Sequence, residues 1–215
     1  VDALQSVLEK SPDAVVLASR SAYAALEALC PKYNIVPFAA HSVWSEKNIT
    51  DAIAEFERTL ITPNSAFDKY LRGDMAAITE EQKQGYELFV KYNCATCHVG
   101  ANLGGESYEL MGQYADYFAD RGLELTVEDN GRNKETALER DRHRFKVPGL
   151  RNVALTAPYF HDGTEPELKE AVCKMGTYQV GVSFTDAEEE KIVAFLESLT
   201  GEHNGTLLTN DNMKK

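Results

Sequence analysis

Apolar positions recur three or four residues apart through much of the chain, and this spacing predicts helices rather than strands. Val1, Leu4, Val7 and Leu8 share one face at the outset. Residues 15–29 repeat Ala, Leu, Ser and Tyr near the helical period and stop before Pro31. Residues 30–47 read as a loop, after which Asn48 or Thr50 is expected to cap a helix through Ile53, Phe56 and Leu60. Pro63-Asn64-Ser65 breaks that helix. Thr79 and Gln82 form the two ends of a capping box, opening a helix that runs to about Tyr92. A short helix is expected over 168–174, just after Pro166. Thr185 and Glu188 make a second capping box, and Ile192, Val193, Phe195, Leu196 and Leu199 line one face behind it, with Gly201 expected at C′. Residues 99–145 are rich in Gly, Asp, Asn and Arg, and a connection that long is expected to wrap something or carry function. The polar end from Glu202, with its Asn-Gly, reads as a loose tail.

The pattern is therefore mainly α, with a helical front part over 1–72, a second domain over 73–201 and a tail over 202–215. A length of 215 residues with 43% hydrophobic content suits one ordinary domain or two small ones. The net charge of −12 argues against a nucleic-acid or anionic-lipid partner, both of which require a basic face. It leaves two readings, an acidic surface that steers a basic partner and one that merely keeps the protein soluble. No apolar run is long enough to span a bilayer. The chain starts on Val1 with no charged-then-apolar leader, so either a removed signal peptide or a fragment is expected.

The four cysteines change the picture most. Cys94-Ala95-Thr96-Cys97-His98 matches the c-type haem attachment pattern. Two thiols spaced by two residues can form thioethers with the two haem vinyl groups, and the adjacent imidazole then ligates the iron. Chance matches should arise on the order of ~0.002 per chain of this length. Three rivals use the same residues. A thioredoxin-like pair needs a βαβ context, which the pattern lacks. A zinc site needs a fourth ligand. A structural disulfide needs only the two thiols. Cys30 and Cys173 are left over, and two buried free thiols are the default for them, with a disulfide as the alternative.

For the second axial ligand the candidates are Met75, Met111, Met175 and Met213 with His41, His143, His161 and His203. Met175 lies 77 residues past His98, just after the short helix, where Gly176 could free the backbone to turn the thioether inward. Met111 lies only 13 residues past His98. Spacing alone leaves the choice open, since most methionines are core filler. His143, in Asp141-Arg142-His143-Arg144, reads as a solvated loop histidine and Trp44 as packing.

Two further stretches carry a resemblance: Phe56-Glu57-Arg58-Thr59-Leu60-Ile61-Thr62-Pro63-Asn64-Ser65, and Phe145-Lys146-Val147-Pro148-Gly149-Leu150-Arg151-Asn152-Val153 with Leu155-Thr156-Ala157-Pro158-Tyr159-Phe160-His161-Asp162-Gly163. Together with Asn102-Leu103-Gly104-Gly105 and the haem motif, they make the chain similar to the bacterial dihaem cytochrome c peroxidases. The match covers their C-terminal, high-potential haem domain and the last helices of the N-terminal domain. The resemblance implies a cytochrome c-like domain with long loops behind a partial helical domain. It implies one covalent haem c on Cys94 and Cys97, His98 as proximal ligand and Met175 as distal ligand.

It further implies a calcium ion bound in part by the backbone carbonyls of Thr156 and Pro158. His161 matches a family histidine near this haem and is read as structural. Arg151 is a candidate propionate partner, since a guanidinium suits carboxylates. The family carries two haem motifs and this chain one, so the resemblance implies no catalytic residue for peroxide here and a chain lacking the peroxidatic half. The implied role is to accept electrons from a small cytochrome c or cupredoxin for the reduction of hydrogen peroxide to water, in the periplasm, in a homodimer. The alternatives are a free-standing monohaem carrier and an apo helical module.

Overall fold

Residues 46–213 are described by the computed structural model; the expected helices over 1–29, Cys30, His41 and Trp44 lie outside them. The described residues fall into two units, divided between Leu60 and Ile61.

In the first unit the described part is α1, Glu46–Thr59. It begins before the expected caps. Thr50 sits inside the helix and its hydroxyl donates back to the carbonyls of Glu46 and Lys47, at 3.0 and 2.9 Å, which satisfies it without capping anything.

In the second unit the chain runs through α2 (Ala66–Leu71), α3 (Glu80–Lys91), β1 (Tyr108–Leu110), α4 (Tyr117–Arg121), α5 (Asn133–Thr136), β2 (Arg144–Lys146), α6 (Leu168–Met175) and α7 (Asp186–Glu197). The unit begins at Ile61, so α2, expected with the front part, packs here instead. Its Phe67 is buried against Tyr86 and Phe195, with ring centroids 4.9 and 5.1 Å away. Ser65, expected only to break a helix, caps α2: its hydroxyl accepts from the Asp68 amide, and Asp68 accepts in return.

The Thr79 and Thr185 capping boxes are both present, with Gln82 and Glu188 at N3. They fix the starts of α3 and α7, which pack tightly together. Phe89, Ile192, Phe195 and Leu196 from these two helices join Phe67, Leu150, Val172 and Leu199 in the core. The approach is close at Gly85, where a Cβ would lie 1.8 Å from the Lys191 carbonyl oxygen.

α7 ends at Glu197, with Ser198 as cap. Gly201 is therefore two residues too late to be C′. It is pressed against the Thr62 and Pro63 carbonyls instead. The expected loose tail is also replaced by structure. β3 (Glu202–His203) pairs antiparallel with β4 (Thr206–Leu207), and Asn204 and Gly205 turn between them at φ 50° and 76°. Two successive positive φ values are what a tight hairpin asks for, and Asn-Gly supplies them cheaply. A final helical turn, α8, covers Asn210–Met213.

The long 99–145 stretch is laced rather than idle. β1 pairs antiparallel with β2, and Gly131 bridges to Arg144. No helix among the described residues is long and apolar enough to cross a membrane.

Candidate functional site

After α3 the backbone turns sharply at Asn93, which holds a left-handed φ of 59°. A 3-10 turn over Cys94–Thr96 follows, closed by the Cys97 and His98 amides donating to the Cys94 carbonyl at 3.3 and 3.1 Å. The Thr96 hydroxyl donates to Asn93 O at 2.6 Å and tightens the same turn. The two half-buried thiols and the imidazole are thus held on five consecutive residues.

His98 Nδ1 lies 3.1 Å from the Leu103 carbonyl oxygen. A carbonyl only accepts, so Nδ1 carries the proton and Nε2 keeps its lone pair for a metal. Burial pushes the imidazole pKa down, which favours the neutral, ligating form. Leu103 is itself fixed by its loop: Gly104 sits at φ +136° with no room for a Cβ against the Pro148 carbonyl. The Leu150 amide donates to Asn102 O at 3.0 Å and the Gly105 amide to Val147 O at 2.8 Å. The stretches 102–105 and 147–151, far apart in sequence, lie side by side here.

A cavity of about 350 Å³ opens beside His98, lined by Phe89, Ala95, Leu103, Asp68 and Arg151 among others. An apolar pocket floor, an imidazole whose burial favours its neutral form and two adjacent thiols form the donor set that haem c requires, so the residues fit that group.

The rivals fare worse. Cys94 is pushed up to about 11 by burial, the reverse of the activated thiolate a redox pair needs. The described strands form two short antiparallel pairs and offer no βαβ unit. Cys94 and Cys97 are unbonded thiols. Cys94, Cys97 and His98 do not gather as a metal-ligand cluster. Cys173 is likewise a free, half-buried thiol, kept protonated by burial and by Glu189.

The candidates for a second axial ligand separate by environment. Met75 is 66% exposed and makes no part of the core. His203 is exposed on the hairpin and His41 lies outside the described residues. His161 Nε2 is bound to Asp129 Oδ1 at 2.7 Å, with its ring against Phe145 at 4.4 Å. His143 is not the solvated residue expected. It is half-buried, stacked on Phe118 at 4.3 Å, and donates from Nδ1 to the Asp129 carbonyl at 2.6 Å. Met175 and Met111 are half-buried methionines, and the Met213 side chain lies outside what is described. Met175 closes α6 and runs into a π-helical turn over Gly176–Val180. Gly176 keeps ordinary helical angles, so it does not free the backbone as expected. It is small because Phe184 packs over it.

Asp129, His161 and Asp162 are a group with metal-like donors. They do not form a cation site, because the Arg121 guanidinium already occupies it, at 3.0 and 2.7 Å from the two Asp129 oxygens and 2.6 Å from Asp162. This network was invisible in sequence, where its members lie up to 41 residues apart.

Arg151 lines the His98 cavity, but part of its fork is taken. Nη1 and Nη2 donate to Asp68 at 2.9 and 2.8 Å, and Nε donates to Ala101 O at 2.7 Å. Thr156 and Pro158 are exposed, on either side of Ala157. Calcium takes six to eight oxygens, and the described residues gather no carboxylate cluster there to add to two carbonyls.

A family model described as di-haem cytochrome c peroxidase matches residues 8–76. The chain is 56% identical over 158 residues to cytochrome c peroxidase Ccp of Escherichia coli, covering 74% of this chain and 33% of that protein. It is 47% identical over 154 residues to cytochrome c551 peroxidase of Nitrosomonas europaea, covering 72% and 44%. The chain thus spans a third to under half of the curated relatives it matches. Among solved structures it is similar to a MauG-like protein associated with microbial copper homeostasis, with a TM-score of 0.58, 26% identity, and coverage of 76% of this chain and 60% of that one.

Proposed function

This chain belongs to the di-haem cytochrome c peroxidase family, and from that premise we propose that residues 73–201 are its electron-accepting haem c domain. The observation that carries the proposal is the Cys94–His98 turn at the edge of the cavity, with His98 Nδ1 engaged by Leu103 O. Cys94 and Cys97 would hold the haem as thioethers, His98 and Met175 would be its iron ligands, and Arg151 would meet a propionate. When bound, the haem supplies a one-electron iron couple, and a Met/His pair sets it high.

The chain's own residues do the rest. Leu103 orients the imidazole, Phe89 and Ala95 exclude water from its face, and the core packs behind the turn. Electrons would come from a small cytochrome c or cupredoxin. Reduction of hydrogen peroxide to water is assigned to the second haem domain of the complete enzyme and to no residue here. A periplasmic setting follows from the extracytoplasmic attachment of haem c. Calcium on the Thr156 and Pro158 carbonyls would need ligands from other parts of the enzyme, as would a homodimer contact.

The haem-loaded chain should carry one haem, accept electrons from a reduced donor cytochrome, and show little peroxide turnover. Steady-state turnover at the rates of the complete enzyme would overturn the division of labour. Met175→Ala should leave the haem attached and lower its reduction potential, measured by redox titration. An unchanged potential would remove Met175 from the iron.

A further inference from the structure

The ion pair between Asp68 and Arg151 stands on the rim of the same cavity as His98, and the role given above to Arg151 leaves Asp68 unexplained. The two residues are 83 apart in sequence. Asp68 is held from two sides. As N3 of α2 it accepts the Ser65 amide on Oδ2 at 3.1 Å, and the same oxygen takes Arg151 Nη1 at 2.9 Å while Oδ1 takes Nη2 at 2.8 Å. Arg151 is fixed from a third direction by Ala101 O. Three of its five N–H groups are used, and one each on Nη1 and Nη2 remains for a further carboxylate.

Both side chains are largely withdrawn from solvent, at 22% and 12% exposure. Their charges therefore act on the cavity with only partial screening. Arg151 is permanently cationic, and its proximity holds the Asp68 carboxyl below the usual range, so both charges persist at neutral pH.

We propose that Asp68 is a positioning residue for the haem site: it sets the Arg151 fork in place and cancels its charge, so that the iron couple is held lower than an unpaired arginine would set it. The inference rests on the haem assignment above. Reduction adds one negative charge at the iron, so a nearby cation favours it and a nearby anion opposes it. Removing Asp68 alone leaves Arg151 with one anionic partner fewer, makes the site more positive and favours the reduced form. Removing Arg151 alone leaves Asp68 uncompensated and opposes it. A pair that merely clamps α2 to the 147–151 stretch would give no such opposition of sign.

The test uses the haem-loaded full chain with Asp68→Asn, Arg151→Gln and the double variant, each titrated spectroelectrochemically at one pH and salt. Haem content is read first, from the pyridine haemochrome spectrum. At a fixed poise, Asp68→Asn should raise the reduced-to-oxidised ratio on the order of tenfold, which is about 59 mV for one electron. Arg151→Gln should lower it, and the double variant should return near wild type. Asp68→Ser makes the same charge change should the asparagine variant fail to accumulate. Shifts of the same sign in the two single variants, or no shift in either, overturn the inference while the haem assignment stands. Wild-type chain without covalent haem overturns the assignment and the inference with it.

Discussion

Gly85→Ala is expected to be among the most damaging single changes in this chain. The reason lies in how closely α3 and α7 approach. A methyl group at Gly85 would sit 1.8 Å from the Lys191 carbonyl oxygen, 2.6 Å from its carbon and 2.9 Å from Phe195 Cβ. Two of these atoms are backbone, so no rotamer change relieves the clash, and the helices must separate. Overpacking usually costs about 1–3 kcal/mol, and a backbone clash this short belongs at the top of that range. Alanine recovers about 1 kcal/mol of helix propensity, too little to offset it.

The separation would also reach the site. Phe195 is fully buried and contacts Phe89 at 5.2 Å, and Phe89 lies 6.2 Å from the His98 ring. A melt of the haem-loaded variant followed by circular dichroism should show a fall of several degrees. An unchanged midpoint would mean that the two helices do not meet at Gly85. Gly85→Ser, with a similar Cβ but a different side chain, should fall by a similar amount.

Sequence reasoning reached the parts of the fold governed by local rules. The Thr79 and Thr185 boxes are encoded in four residues each, and both are present. The haem motif is likewise five consecutive residues, and its geometry follows from one turn. What could not be read is what depends on distant partners. Ser65 looked like a breaker because Pro63 and Asn64 precede it, yet the Ser65–Asp68 spacing was a cap signal that could have been seen. The pairing of Asp68 with Arg151 left no local trace. His143 looked solvated because its neighbours are Arg142 and Arg144. Its ring is turned inward by a left-handed backbone, φ 56°, and by a carbonyl from a segment 14 residues earlier. Gly201 read as a helix stop because glycine usually is one, whereas here the missing side chain makes room for Thr62. The tail read as loose because it is polar and contains Asn-Gly, yet Asn204-Gly205 is the turn of a hairpin.

Asp129→Ala should cost about 3–5 kcal/mol, the usual result of removing one partner from a buried ion pair. Asp129 is 1% exposed and is the centre of the network. Its carboxylate accepts two Arg121 bonds, the Thr126 amide at 2.7 Å and His161 Nε2 at 2.7 Å. The alanine variant strands all three donors. Arg121 is the costliest, because its side chain is 7% exposed and its Nε already lacks a partner. Only Asp162 would be left to answer that charge.

The same pair gives the effect a pH signature. Arg121, with Thr126 and His161, holds the Asp129 carboxyl far below its unfolded value near 3.9. A depressed folded pKa means stability that is present above about pH 4 and lost as the pH falls through the acid range. Wild type should therefore melt at falling temperatures from pH 5 downward. Asp129→Ala should start lower and fall less steeply, so that the two curves converge toward pH 2. Asp129→Asn separates charge from shape: it keeps the volume and part of the hydrogen bonding, and should lie between the two at pH 7 with the shallower slope. Parallel curves for wild type and Asp129→Ala would show that the Asp129 charge does not set acid stability. Covalent haem content should be the same in all three, since Cys94, Cys97 and His98 lie outside this network. A loss of stability without a loss of haem would place the Arg121–Asp129 pair in the loop scaffold, separate from the attachment turn.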